Sequence, residues 1–506
     1  MKRKCGVLLP VASLPSKYGI GCFSREAYDF IDFLSNAGQT YWQILPLGQT
    51  GYGDSPYQSF STFAGNPYFI DLDQFVEQGY ISEKEVRSCK FGKDPEFIDY
   101  AAVYKYRFTI LRKAYDNSPY AMEPGEKWKS SEFDKCRESF DSFIKDNESW
   151  LKDYALYSAV KKHFDSRSFM EWDDDIRLRS DKAVKKYTEL LADDIRFYEF
   201  LQLIFAAQWS GLKKYANSRK IKIIGDIPIY VAFDSADTWS HPELFKLDKK
   251  GFPTVVAGCP PDGFSATGQL WGNPIYNWEY HKETGFKWWC ERITNCFNLY
   301  DVVRIDHFRG IDEYYEIPYG DKTAEHGKWA PGPGFELIKA IRSAVGNKPI
   351  IAEDLGYLTP SVMKLVRKTG YPGMKVIQFA FDSREESDYL PHNYRHNCVV
   401  YTGTHDNDTT RGWYNSINRL DRKFAKDYVG LKNTANISLP FIRVAFMSVA
   451  DTAIIPIQDY LDLGTEARIN YPSTLGNNWK WRLLPGQLTD ELAKQMKELA
   501  VTYCRC

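Results

Sequence analysis

Apolar and polar positions along the chain fall into two patterns. Short, near-continuous apolar runs recur and end in polar or Gly/Pro clusters, and longer stretches between them carry apolar residues at helical spacing. Eight runs read as strands: CGVLLP around Val7, YWQILPLG around Ile44, IKIIGDIP around Ile224, YDVVRID around Val303, KPIIAEDLG around Ile351, GMKVIQFAFD around Ile377, NCVVYTGTHD around Val400 and TAIIPIQDY around Ile455. Runs this apolar suit strands covered on both faces, as in a parallel sheet. Helices follow several of them. Ser24 stands before Ala27, Phe30, Ile31 and Leu34, spaced i, i+3, i+4, i+7, and Gly38 ends the pattern; Thr359-Pro360 opens another helix, which Gly370 closes. This alternation predicts an α/β fold, and eight strands favour a (β/α)8 TIM barrel over an open sheet.

Two segments break the alternation and read as insertions into one barrel domain spanning 1–506. Residues 75–208 carry a charged, amphipathic helix pattern, as in SWLKDYALYSAVKKHF, and predict a helical insertion after the second strand. Residues 232–298 are irregular, rich in Gly and Pro, and hold five of the 14 tryptophans: Trp239, Trp271, Trp278, Trp288 and Trp289. They predict an aromatic, loop-rich insertion after the third strand, forming a binding surface over the barrel mouth. The tail ends in the helical pattern ELAKQMKELAVTYC.

Composition narrows the partners. Sixty-five Lys plus Arg face 66 Asp plus Glu, a net charge of -1, with no basic stripe to follow a phosphate backbone, which argues against nucleic acid. No apolar stretch reaches the roughly 18 residues of a membrane span, which argues against a membrane partner. The start, MKRKCGVLLPVASLP, sets basic residues before apolar ones, but Pro10 and Pro15 interrupt it and a strand-loop-helix unit follows, so it reads as mature protein. Ten cysteines without paired spacing, apart from Cys504 and Cys506, predict reduced thiols in the cytoplasm; the CRC tail lacks the second pair that a zinc site needs. An aromatic share of 16% predicts ring faces on display.

The chemistry gathers at strand ends, which in a barrel open onto the mouth. VVRIDHFRG, residues 302–310, crowds Arg304, Asp306, His307 and Arg309 into the end of an apolar strand. Asp226 in GDIP, Glu353 in AEDLG and Asp406 in THDND stand at three more ends. Converging carboxylates raise one another's pKa, so such a cluster needs a reason. One reason is glycosidic bond exchange, in which one carboxylate attacks and another, kept protonated, acts as general acid. Arg304 would hold Asp306 ionised while Glu353 stays protonated, and an Arg304→Ala change should lower the chemical step more than folding stability. Another reason is a divalent metal held by Asp306, Glu353, Asp406 and Asp408, with His307 and His405 adding nitrogen. Abundant Trp and Tyr favour the first, because sugar rings offer apolar faces. Each motif also has a plain structural reading: an Arg/Asp ion pair, a capping Asp354, an Asn/Asp turn, and a core role for Trp271.

Together, GDSPYQ followed by AGNPYFIDL, GDIPIYVA, PPDGFSATGQLWGNPIY, VRIDHFRG, IAEDLG, YTGTHDNDT and NNWKWR resemble the amylomaltase, or 4-α-glucanotransferase, family, glycoside hydrolase family 77, over Gly6 to Arg482. The resemblance implies a (β/α)8 barrel with inserted subdomains and without a C-terminal β-sandwich domain. It implies no metal or organic cofactor, and α-1,4-glucans as partners; monomer and dimer both stay open. By matching positions it implies Asp306 as nucleophile, Glu353 as general acid/base and Asp406 as a third acid steadying sugar hydroxyls. Arg304, His307, His405 and Asp226 would hydrogen-bond the sugar at the cleavage point, Tyr57 would pack on it, and Ser55, Gln269, Trp271, Asp382 and Asn478 would line neighbouring subsites. In PPD-x-F the family often has a bulky aromatic reaching over the glucan where this chain has Gly263, a departure from the family's pattern at that lid contact.

Overall fold

In a computed structural model describing residues 3–51, 53–131, 133–261, 265–356 and 358–506, the strands in chain order are β1 Lys4–Leu8, β2 Tyr41–Gln43, β3 Lys222–Pro228, β4 Val255–Cys259, β5 Gln269–Pro274, β6 Val302–Asp306, β7 Glu313–Pro318, β8 Lys328–Pro331, β9 Ile350–Ala352, β10 Gly373–Val376, β11 Cys398–Tyr401 and β12 Thr452–Pro456. Gly263 lies outside the described residues. All eight runs read from the sequence enter one parallel sheet of order β10-β11-β12-β1-β2-β3-β6-β9. Its two ends also meet. The Ala352 N–H donates to the Pro372 carbonyl at 3.0 Å, and the Met374 N–H to the Asp354 carboxylate at 2.7 Å, so the sheet comes round into a (β/α)8 barrel.

Strand alternation explains the apolar runs. Leu8, Ile224, Val302, Ile351, Met374, Val376, Val399, Tyr401 and Ile454 form one buried cluster, the barrel filling. Their neighbours, such as Val7, Val303, Ile305, Val400 and Ile455, belong to the larger core shared with the surrounding helices. Helix boundaries follow their signals, with one local difference. Thr359 accepts from the Val362 N–H, Pro360 opens Pro360–Thr369, and Gly370 closes it at φ 64°. Ser24 does precede Arg25–Asn36, but its hydroxyl donates to Glu26 at 2.5 Å instead of accepting a backbone N–H.

Between β2 and β3 run the helices Tyr100–Asp116, Asp134–Asp146, Glu148–His163, Asp181–Leu190 and Ala192–Ser218. The last packs on β3 and on Arg25–Asn36, so its C-terminal part serves as a barrel helix beyond residue 208. Fully buried Arg107 ties Tyr100–Asp116 to the 3-10 turn Pro67–Phe69 and its end, donating to the Tyr68 and Ile70 carbonyls.

The stretch 232–298 is more ordered than its Gly/Pro content predicts. It holds β4, β5 and the helices Trp278–Glu283 and Lys287–Leu299, and β4 joins an antiparallel sheet of order β5-β4-β7-β8. Half of that sheet comes from beyond β6, a pairing no local pattern reveals. The display of ring faces holds only in part: Tyr104, Tyr319, Trp329, Phe379 and Tyr471 are exposed, but Trp239, Trp288 and Trp289 are buried, as are Trp42, Trp209 and Trp481. Rings pack on rings, with Tyr276 touching Trp278, His281, Trp288 and Trp289. After β12 comes the Thr489-capped helix Asp490–Thr502, and no strand follows among the described residues. Cys5, Cys22, Cys296 and Cys398 are buried free thiols, and no described helix is long and apolar enough to cross a membrane.

Candidate active site

β6 carries the opening step of the site. Val302, Arg304 and Asp306 share one face of the strand, so the row climbs from the apolar filling to charge at the mouth, while Val303 and Ile305 face the helices. Register sets Asp226 of β3 directly opposite Arg304. The Arg304 guanidinium donates to Asp226 at 2.5 Å and pairs with Asp306 at 2.9 Å. Its third nitrogen, Nε, lies 3.3 Å from the Met374 sulfur. Asp226 is fully buried and also accepts from the Tyr57 hydroxyl at 2.7 Å; its other oxygen, Oδ1, has no hydrogen-bond partner among the described residues.

Glu353 follows β9, the next strand round the barrel. Its carboxylate accepts from the His307 and Leu355 backbone N–H groups, each at 2.7 Å. His307 reaches that position in the left-handed region, at φ 50°, a conformation costly for a non-glycine residue and kept here by the hydrogen bonds on either side. The neighbouring Asp354 acts structurally, binding the Met374 N–H. The capping role expected of Asp354 is thereby corrected: Thr359 caps the following helix, Pro360–Thr369.

Asp406 comes from the turn after β11. Asn470 donates to its Oδ1 at 2.6 Å and His405 Nε2 lies 3.4 Å from its Oδ2. The turn itself is braced by Asn407, which accepts from the Thr404 N–H and hydroxyl. Tyr57 stacks on His405 with ring centroids 5.2 Å apart, and Trp479 flanks both.

These environments drive the acids apart. Burial pushes Glu353 up to about 7, with Asp306 nearby adding to the effect and Arg304 and the two backbone N–H groups opposing it. Burial also lifts Asp306, to about 6, against the pull of Arg304, with Asp226 and Asp406 adding repulsion. Arg304 pulls both carboxyls down and does not return Asp306 to the ordinary carboxylate range. For Asp406, burial is outweighed by His405, Asn470 and Arg304, which hold it well below that range. Burial lowers His405, but Asp406 more than reverses this. His307 is pushed down to about 4 by burial and by Arg309, so its ring is neutral, and its Nε2 has no partner among the described residues. Trp271 meets it edge-on at 4.9 Å.

The outer residues divide. Gln269 opens β5 and accepts from the Trp271 indole at 3.1 Å, and the Ser55 hydroxyl holds the Tyr57 N–H at 3.3 Å. Asn478 is spent on its own loop: it accepts from the Tyr471 N–H and donates to the Tyr471 and Thr474 carbonyls. The contacts of Asp382 run to Arg384, which holds its carboxyl below the usual range. Both oxygens of Asp408 are engaged locally, by the Thr409 N–H and the Thr465 hydroxyl, and no group of three or more His, Cys, Asp or Glu among the described residues is arranged to hold a metal ion.

Three contributors were not singled out from the sequence. Trp479 sits inside NNWKWR, so its motif was the available signal. Asn470 had none, because its partner Asp406 is 64 residues away. Met374 looked like ordinary strand filling.

A family model described as 4-alpha-glucanotransferase matches residues 9–488. The chain is 50% identical over 498 residues to a 4-alpha-glucanotransferase of Clostridium butyricum, covering 98% of this chain and 99% of that one. It is 44% identical over 511 residues to one of Thermus thermophilus, covering 99% and 98%. Among solved structures, an amylomaltase from Streptococcus agalactiae in complex with acarbose matches with a TM-score of 0.94 at 42% identity over 100% of both chains.

Proposed function

The chain belongs to the 4-alpha-glucanotransferase family, glycoside hydrolase family 77, and on that footing we propose how it moves α-1,4-glucan segments: a retaining double displacement through a covalent glucosyl-enzyme. The donor is a maltooligosaccharide or starch chain, and the acceptor is the 4-hydroxyl of glucose or another glucan. Residues 1–506 form one barrel domain, with 75–208 and 232–298 as insertions. Buried free thiols at Cys5, Cys22, Cys296 and Cys398 support a reducing, cytoplasmic setting.

The observation that carries the mechanism is the split between two neighbouring carboxyls. Asp306 has a guanidinium 2.9 Å away, keeps 28% of its side-chain surface open, and is charged near neutrality. Among the described residues Glu353 pairs with no cation, and at about 7 it holds a proton in a large share of molecules at the same pH. In the first step Asp306 attacks the anomeric carbon, and the glycosidic electron pair leaves on the oxygen that Glu353 protonates. In the second step Glu353 takes the proton of the acceptor 4-hydroxyl, whose oxygen displaces the Asp306 carboxylate from carbon. Two inversions restore the α configuration.

The other residues hold the sugar. Asp226 Oδ1 and His307 Nε2 are buried polar atoms with spare bonding capacity, suited to ring hydroxyls, and neutral His307 fits an uncharged ligand. Asp406, kept ionised, accepts from two hydroxyls, and the Tyr57 ring, fixed by Asp226 and His405, offers a face to the apolar side of the sugar. Trp271 and Gln269 extend the cleft, and Ser55 positions Tyr57. Asn478 shapes the loop 471–478, and Asp382 awaits a contact beyond Arg384.

Incubation with maltotriose tests this reading. Glucose plus longer oligomers, with no net rise in reducing ends, is the expected result. A steady rise in reducing ends would make the protein a hydrolase. Asp306→Asn and Glu353→Gln should each abolish both reactions.

A further inference from the structure

Every nitrogen of the Arg304 guanidinium has a partner, and one of the three is not an acid. Nη1 meets Asp226 and Nη2 meets Asp306, while Nε points at the sulfur of Met374 at 3.3 Å. We infer that Met374 is a positioning residue: its thioether accepts from Nε and fixes the rotation of the fork that holds the nucleophile. The inference rests on Asp306 acting as that nucleophile.

The chemistry of the position favours sulfur over an ordinary core group. Met374 is 1% exposed and belongs to the apolar filling of the barrel. A carboxylate there would add a fifth acid to Asp226, Asp306, Glu353 and Asp406 and compete with Asp306 for the same cation. An amide or hydroxyl would bring donors that the apolar filling cannot satisfy. A thioether has an acceptor, no donor and no charge, and its flexible stem packs as a hydrocarbon. The backbone of Met374 is fixed as well, because its N–H is bound by Asp354, the residue after Glu353. One strand end thus connects the acid/base, through Asp354 and Met374, to the cation beside the nucleophile.

Met374→Leu keeps the volume and removes the acceptor; Met374→Gln restores an acceptor oxygen at the price of an unsatisfied amide N–H2. For the leucine variant the thermal midpoint and KM should stay near the parent, KM within about twofold, while kcat for maltotriose falls about tenfold, the scale of one lost hydrogen bond to a charged group. Its acidic pH limb should move to higher pH, because a less firmly held guanidinium compensates Asp306 less. The glutamine variant should be less stable yet faster than the leucine variant, with its limb returned toward the parent. A leucine variant with unchanged kcat and pH limb would overturn the inference, as would two variants that lose kcat in step with stability. If the leucine variant does not fold, the glutamine variant decides: kcat within about threefold of the parent supports the role and a tenfold loss overturns it. Asp306→Asn is measured alongside. Activity retained in that variant overturns the nucleophile assignment, whereas an inactive Asp306→Asn beside a fully active Met374→Leu overturns the role of Met374 alone.

Discussion

Arg304 and Asp306 illustrate how burial changes what a residue pair is worth. From the sequence, removing Arg304 should slow chemistry and spare folding. The structure adds Asp226, fully buried and 2.5 Å from the same guanidinium, so Arg304→Ala strands a buried charge and should cost about 3–5 kcal/mol of stability as well. Arg304→Lys is the sharper probe. It keeps the charge and loses the fork, and kcat should fall about 100-fold with a much smaller drop in thermal midpoint than for alanine, measured by calorimetry beside kinetics. Asp306 itself is a stability cost accepted for function. Its folded pKa of about 6 lies above the ordinary 3.8. Below about pH 4 the carboxyl is protonated in folded and unfolded chains alike and contributes no difference; as pH rises past about 6 it ionises in both, and the folded state bears the burial. Asp306→Asn, whose amide oxygen still accepts from Arg304, should therefore raise the thermal midpoint by about 2–4 °C at pH 7, with the gain shrinking toward pH 4, while activity drops by about 10³-fold or more. A midpoint lower at pH 7 than the parent would contradict this account.

Elements hold those residues through close approaches that leave no room. Gly225 of β3 lies under the Tyr300 ring, and a Cβ there would come within 2.1 Å of ring carbon. Gly225→Ala should cost about 2–3 kcal/mol or prevent folding, and trimming the ring with Tyr300→Leu in the same chain should recover part of the loss, as read by denaturant unfolding. The strand ends were legible as strand ends because GDIP, RIDHF, AEDLG and THDND each place an acid just where an apolar run stops. Their partners were legible only in part. Arg304 lies two residues from Asp306 on one strand face, which period 2 reveals, but Asp226 meets it through β3–β6 register, and Asn470 meets Asp406 across 64 residues. The sheet β5-β4-β7-β8 escaped for the same reason: Gly258 and Gly272 interrupt its strands, and β4 pairs with β7 across β6.

At the scale of the whole molecule, barrel closure gathers four separated segments at the proposed reaction centre, and the pH profile belongs to that assembly. Burial and mutual repulsion leave the coupled pair with values of about 6 for Asp306 and about 7 for Glu353. With the roles proposed above, Asp306 charged and Glu353 protonated, kcat/KM should rise through the lower value and fall through the upper, giving a narrow bell centred between them; a flat profile from pH 5 to pH 8 would refute the assignment. The sequence by itself determined the alternation of strand and helix, the eight runs of the barrel and the residue types at its mouth. Those follow from periodicity and local sterics, which act over a few neighbouring positions. Tertiary structure alone decided that most tryptophans fill the core, that Asn478 braces a loop, that burial lifts Asp306 despite its arginine, and that a methionine completes the partners of Arg304. Desolvation and packing depend on what the rest of the chain places around a residue, and no local pattern contains that information.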